Sequence, residues 1–466
     1  MTRIAFFGAG YAGLVSGACF ADLGHTVVVR DVVPERIDGL RAGRVPFFEP
    51  GLAELIERNA DRLSFTLSMK EAIEGSEFLF VCVGTPPTAS GDANLSAVWS
   101  VIEDLPQDLG PVVLVMKSTV PVGTGEKVRA ELDRRGLTQV GYASCPEFLA
   151  EGTAVRDFLE SDRVVVGAFE PAHGEAVAAL HDALDAPVVQ MDVPSAEMVK
   201  LAANAYLATR ISFINEIANV CELVGADVED VARGMGLDRR IGTQYLRAGI
   251  GFGGSCFPKD VSFLKLLAGN SGYHFHLVSS VVEVNELQIR RPVAKVQRHL
   301  GTLRGKRVAL LGLAFKAHTD DVREAPSLVL ASRFLAEGAQ VVAWDPVVDA
   351  REILHGVEFA DSAADALAGA DAAVVVTEWP ELRELPWAEL RGAMRNPLVI
   401  DGRNFLDANV MRTAGYAYEG MGRAGSPFAA LAETEERVAA SVAGKAGDAL
   451  PENRGAGGAP GSKLRQ

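Results

Sequence analysis

Short apolar runs alternate along the chain with segments whose apolar positions recur every three or four residues. The pattern predicts strands over 3–7, 26–30, 78–83, 112–117 and 164–167, with helices between them. Strands alternating with helices imply a parallel sheet covered on both faces. The period then changes. From Ala196 to Val224 apolar residues keep helical spacing with no proline, which predicts one helix of nearly 30 residues, about 45 Å long. Alternation resumes at 307–312 and continues through a helix after Pro326, a strand ending at 342–346, and runs at 373–377 and 398–400. The expected α/β architecture is two doubly wound parallel-sheet domains, 1–194 and 301–430, joined by a central helical domain, 195–300, that contains the long helix. Residues 441–466 are Gly, Ala, Pro and isolated charges that bury too little apolar surface to offset ordering, so that tail is expected to be disordered.

Composition narrows the function classes. At 466 residues, 48% of them hydrophobic, the chain can build more than one core. Its 45 Lys plus Arg against 61 Asp plus Glu give a formal charge of -16, which argues against nucleic acid or an anionic membrane as partner. An anionic ligand therefore needs a local basic pocket. No signal-peptide pattern and no run near the roughly 20 apolar residues of a membrane span is present, and cysteines 19, 82, 145, 221 and 256 are scattered and odd in number. The expectation is a cytoplasmic protein with reduced thiols.

Gly8-Ala9-Gly10-Tyr11-Ala12-Gly13 follows a predicted strand and opens a helical pattern. Glycines so placed make the tight turn, admit a pyrophosphate and let helix pack on strand, as in a Rossmann-like dinucleotide site. The next strand ends at Asp31, 18 residues beyond Gly13, where a carboxylate can bind ribose hydroxyls; this favours NAD over NADP. Arg30 and Arg36 keep that preference open, because a nearby arginine can accept a 2'-phosphate.

The densest chemistry lies in 249–260, Gly-Ile-Gly-Phe-Gly-Gly-Ser-Cys-Phe-Pro-Lys-Asp. Its glycines allow close backbone approach, and Pro258 suits the first turn of a helix, which places Cys256 at a helix N-terminus. The helix dipole and Lys259 there favour the thiolate, and Asp260 can share a face with it. The alternative is a buried small hydrophobe, the reading taken for Cys19, Cys82 and Cys221. Lys200 and Asn204, one turn apart on the long helix, can face one site as oxyanion and hydroxyl partners, or form a solvated helix face. Glu147 and Glu151 have the same spacing and are candidates for proton transfer, although paired glutamates are common on surface helices. His274 and His276 lack a third ligand at metal spacing, so no metal is expected.

Taken with Gly84-Thr85-Pro86, Lys117 to Pro121, Pro146 to Gly152, Arg240-Ile241-Gly242, Gly312 to Lys316, Thr319 to Arg323 and Asp401-Gly402-Arg403, these segments resemble the UDP-glucose/GDP-mannose dehydrogenase family in the right order from Arg3 to about Arg403. The resemblance implies a four-electron oxidation of a UDP-hexose primary alcohol by two NAD molecules, through a cysteine thiohemiacetal and thioester. It implies Cys256 as nucleophile, Lys200 as oxyanion or proton partner, Asp260 and Thr119 as water-positioning residues, Glu147 in acid–base chemistry, and Asn204 beside them. For the cofactor it adds Arg36, Thr85, Thr119, Glu151 and Arg323 to Gly8, Gly10, Tyr11, Ala12, Gly13 and Asp31. For the nucleotide sugar it implies Phe148, Leu149, Ala150, Glu151, Lys200, Asn204, Arg240, the loop from Arg247 through Phe252 and Gly253, Phe315, Lys316 and Arg403. Members usually form dimers or larger assemblies through the central helix.

Two departures are visible: Ala12 stands where the family usually has valine, and Cys145 where it commonly has asparagine. Neither removes a proposed catalytic group. Three rival readings stay open at this level. A relative acting on GDP-mannose or UDP-N-acetylmannosamine shares the chemistry. A single-step hydroxyacid dehydrogenase needs no cysteine, and a catalytically idle NAD-binding protein needs none of Cys256, Lys200 and Asp260.

Overall fold

The computed structural model describes residues 1–423; the tail expected to be disordered, 441–466, lies outside the described residues. The first sheet holds β1 (Arg3–Phe7), β2 (Thr26–Arg30), β3 (Leu63–Thr66), β4 (Phe78–Val81), β5 (Val113–Met116), β6 (Gly141–Ser144), β7 (Val164–Ala168) and β8 (Val188–Met191). Their order is β3-β2-β1-β4-β5-β6-β7-β8. The second sheet repeats the plan with β9 (Arg307–Leu311), β10 (Gln340–Trp344), β11 (Val357–Phe359), β12 (Ala372–Val375), β13 (Leu398–Asp401) and β14 (Ala417–Glu419), ordered β11-β10-β9-β12-β13-β14. Successive side chains of the central strands feed opposite layers: Phe6 and Phe80 enter one core, Phe7 and Leu79 the other. Burial on both faces is why these strands read as continuous apolar runs rather than alternating ones.

The doubly wound parallel architecture is as expected, with two differences: β3, β8, β11 and β14, short strands at the sheet edges, and β6, a short Gly-Tyr-Ala-Ser strand, are not among the apolar runs that predicted strands, and β7 runs antiparallel to β6. The chain that leaves β6 does not cross back over the sheet. It stays at the strands' carboxyl edge, through a loop and the short helix Ala154–Leu159, and re-enters from the same side. That edge is where ligands bind in open α/β sheets, and the connection carries Glu147 to Glu151.

The helices that position the site are α1 (Tyr11–Asp22), α2 (Thr124–Arg134), α3 (Ala154–Leu159), α4 (Val193–Val224), α5 (Phe257–Asn270) and α6 (His276–Leu300). The long helix, α4, has 32 residues, and at 1.5 Å per residue spans about 48 Å. It starts ahead of Ala196 because the Asp192 side chain caps it, accepting from the Ser195 amide at 2.8 Å. Pro194 falls in the first turn, where its missing N–H costs nothing, and Gly225 ends the helix at φ +79°. Leu201, Ala205 and Ala208 of α4 pack with Phe263 of α5 and Val281 of α6.

Candidate active site

β1 delivers Gly8 at φ +105°, where a Cβ would stand 2.7 Å from the Cys82 carbonyl oxygen, and a Cβ on Gly13 would collide with Gly8 itself. Gly10, by contrast, faces open space, and no side chain caps α1 there. The first-turn N–H groups are thus left for an anion. Tyr11 and Ala12 begin that turn. Beside it, the buried Asp31 carboxylate accepts from the Ala9 amide at 2.7 Å, the Val33 amide at 3.0 Å and Arg36 at 2.9 Å. Burial alone would raise Asp31, but these donors outweigh it and hold the group below the usual carboxylate value. A glycine cradle, an open helix N-terminus and an anchored carboxylate fit a dinucleotide. At the ends of β4 and β5 the Thr85 hydroxyl donates to the Thr119 carbonyl at 2.7 Å.

A cavity of about 1090 Å³ opens between the 146–151 loop, α4, the 241–257 segment, Phe315, Lys316 and Arg403. It brings together Cys256, Lys200, Asn204, Glu147, Phe148, Leu149, Ala150, Glu151, Arg247, Phe252, Gly253, Phe315, Lys316 and Arg403. Lys200 and Asn204 are buried, not a solvated face. The Lys200 ammonium donates to Glu147 at 2.9 Å. Burial opposes the Lys200 charge, yet Glu147, Asp260 and Cys256 outweigh it and raise its pKa. Glu147 moves the complementary way: burial raises it, but Lys200 and the Leu149 amide bring it below its ordinary value. Asn204 donates to Asp260 at 2.6 Å, which leaves the Asn204 carbonyl free for a sugar hydroxyl.

Cys256 does stand at the N-terminus of α5, though its side chain makes no capping hydrogen bond, with Pro258 in the first turn. The thiolate expected there is corrected by its surroundings. Burial, and after it Glu147, push the Cys256 thiol up to about 11, with Asp260 and Glu151 adding to Glu147 against the pull of Lys200. Lys259 is committed to Asp260 at 2.5 Å instead of the thiol. The resting group is therefore a protonated thiol, and the reaction has to remove its proton.

Some residues stand apart from the cavity. Arg240 projects into solvent, its side chain 88% exposed and paired with Asp238 at 2.6 Å. Asp260 is fully buried behind Asn204, and Arg323 pairs with Asp321 at 2.7 Å while lying 3.7 Å from Glu151. Other groups were not visible in the motifs. The Arg163 guanidinium carbon lies over the Phe148 ring, 3.7 Å from its centre. Glu49 accepts from the Gly152 amide at 2.6 Å and the Ala154 amide at 2.7 Å, and from the Tyr11 hydroxyl, so it fixes the loop that carries Glu147 to Glu151. Glu197, three residues before Lys200, accepts from the Gly123 and Gly125 amides, both at 2.7 Å, and caps α2, which has no side-chain cap of its own. Only Glu197's helical register with Lys200 could have suggested it.

Comparison with known proteins agrees with this geometry. The family models for the UDP-glucose/GDP-mannose dehydrogenases match in three parts: the NAD binding domain over residues 2–185, the central domain over 194–287 and the UDP binding domain over 309–408. The UDP-glucose 6-dehydrogenase TuaD of Bacillus subtilis (strain 168) is 43% identical over 431 residues, covering 91% of this chain and 94% of its own. Among solved structures, a UDP-glucose dehydrogenase from Pyrobaculum islandicum superposes with a TM-score of 0.84 at 37% identity, covering 91% of this chain and 98% of that one. A UDP-D-ManNAc dehydrogenase from Pyrococcus horikoshii gives 0.81 at 26% identity over 91% and 100%.

Proposed function

This chain belongs to the UDP-glucose/GDP-mannose dehydrogenase family, and from that premise we propose that it oxidises the C6 alcohol of UDP-glucose to the carboxylate of UDP-glucuronate. NAD, when bound at the glycine turn, supplies the hydride acceptor for both oxidations. Lys200, kept charged by Glu147, donates to the C6 oxygen as negative charge develops there. Cys256 adds to the aldehyde carbon, forming a thiohemiacetal that still carries a transferable hydrogen on carbon; the free aldehyde does not offer one in that form. The resulting thioester is cleaved by water. In this reading Glu147 exchanges protons with Lys200, Asp260 acts through the Asn204 amide it holds, and Thr119 lies on the cofactor side.

The observation that carries the reading is the convergence of Cys256, the Lys200–Glu147 pair and Asn204 on one cavity that is also lined by Lys316, a half-buried cation with no ion-pair partner among the described residues. Lys316 supplies the local positive charge that an anionic diphosphate requires. UDP-glucose is preferred because the relative with the higher identity among the two solved structures is a UDP-glucose dehydrogenase. The test is product analysis by mass spectrometry with UDP-glucose, UDP-N-acetylmannosamine and GDP-mannose in parallel. UDP-glucuronate should form with kcat/KM about a hundredfold above the others; a preference for either rival would reassign the sugar. Phe213, Val220, Leu223 and Val224 are exposed along the second half of α4 and support a homo-oligomer formed through that helix. Five free cysteines suit a reducing, cytoplasmic setting.

A further inference from the structure

A thiol as weakly acidic as Cys256 needs a base, and Lys200, being protonated, is not one. The neighbouring side chain supplies a path. The Ser255 hydroxyl lies 3.6 Å from the Cys256 sulfur and donates to Glu151 Oε1 at 3.0 Å. Its remaining lone pairs can accept the thiol hydrogen, giving a continuous chain from sulfur through oxygen to carboxylate. The path is held rigidly: the Gly254 amide donates to the Arg323 carbonyl at 3.0 Å, and Gly254, at φ +84°, has the Phe315 ring 2.8 Å from where a Cβ would stand. The segment that pins the cysteine loop therefore also carries Asp321 and Arg323, which flank Glu151.

We propose that Ser255 is the proton relay for the nucleophile, taking the Cys256 proton and passing its own to Glu151 as sulfur adds to the aldehyde. This rests on the covalent reading above and adds a residue to it. The S–H bond breaks as the C–S bond forms, the carbonyl electron pair moves to the oxygen facing Lys200, and Ser255 ends neutral with Glu151 protonated. When the thioester is hydrolysed, the departing sulfur recovers its proton by the same route. Burial and Asp321 push Glu151 up to about 7, against Ser255 and Arg323, which pull it down. Thr319 donates to its other oxygen at 3.4 Å, and the Lys316 ammonium and the neutral Cys256 thiol complete its titratable surroundings.

The test is the rate of Cys256 alkylation by iodoacetamide across pH, mapped by mass spectrometry, in the full-length protein and its Ser255→Ala, Ser255→Thr and Glu151→Gln variants. Wild type should show an inflection near pH 7 as Glu151 becomes able to accept. Ser255→Ala should lose it and react about tenfold more slowly at pH 8. Glu151→Gln should lose the same inflection, and Ser255→Thr should restore it. A Ser255→Ala protein that keeps wild-type rate and profile, or a Ser255→Thr protein as slow as Ser255→Ala, overturns the relay. Failure of the covalent reading is separable, because it appears as turnover in Cys256→Ala whatever Ser255 does.

Discussion

Two buried clusters of charge treat their members in opposite ways. Around Lys295, Glu222 of α4 and Glu419 of β14 approach the ammonium at 2.5 and 2.6 Å, Arg291 pairs with Glu222 at 2.7 Å, and Arg298 and His299 complete the coordination of Glu419. Burial alone would raise Glu419, yet these cations bring it down to about 2. In the cavity the Lys200–Glu147 pair behaves the same way, but around it burial wins: Cys256 and Glu151 are raised and Lys316 is lowered. The difference is partner number. A charge surrounded by opposite charges keeps its ionised form and ties α4, α6 and β14 together, whereas one with too few partners is displaced toward neutrality, which for Glu151 brings proton transfer near pH 7 within reach.

Removing the nucleophile in Cys256→Ala should lower turnover by about a thousandfold or more while leaving NAD affinity and the unfolding midpoint near wild type; assays of NADH formation, cofactor titration and thermal melting together check this. Lys295→Met should do the reverse. It takes the shared cation from two half-buried carboxylates that keep only their more exposed partners Arg291, Arg298 and His299, which should cost about 1–3 kcal/mol in urea unfolding, with kcat per folded molecule unchanged.

Acid sharpens the contrast. Glu419 lies below its ordinary 4.5 in the folded chain, so its contribution is complete above about 4.5 and is lost as pH falls toward 2; the size is on the order of 2–3 kcal/mol. Glu151 and Glu197 are raised to about 7, so their contribution is complete below 4.5 and is lost as pH rises through 7. Lys295→Met should therefore flatten the acid limb of the stability profile and leave the limb between 4.5 and 7 in place. A smaller effect is expected of Glu197→Ala, which strands the Gly123 and Gly125 amides at the start of α2; about 1–2 kcal/mol of stability should be lost, read by the same urea titration.

Much of this molecule is legible in its sequence wherever neighbours in space are neighbours in the chain. The glycine turn, the proline after Cys256 and the register of Lys200 with Asn204 are local patterns, and the alternation of apolar runs carries most of the central strands of both sheets but not the short edge strands β3, β8, β11 and β14. Glu49, Glu197 and Arg163 are not legible this way, since Glu49 reaches an amide 105 residues away and Glu197 one 74 away. The same limit explains the thiolate expectation: helix dipole and Lys259 are local, while the burial and Glu147 that outweigh them come from the fold. The antiparallel turn of β7 escaped because periodicity reports that a strand exists, not its direction.

The most direct measurement is the yield of NADH when UDP-glucose is limiting and NAD is in excess. Oxidation of an alcohol through a Cys256 thioester to the acid predicts two NADH for each UDP-glucose, with UDP-glucuronate as the only nucleotide-sugar product. One NADH, with the aldehyde accumulating, would contradict the covalent four-electron account.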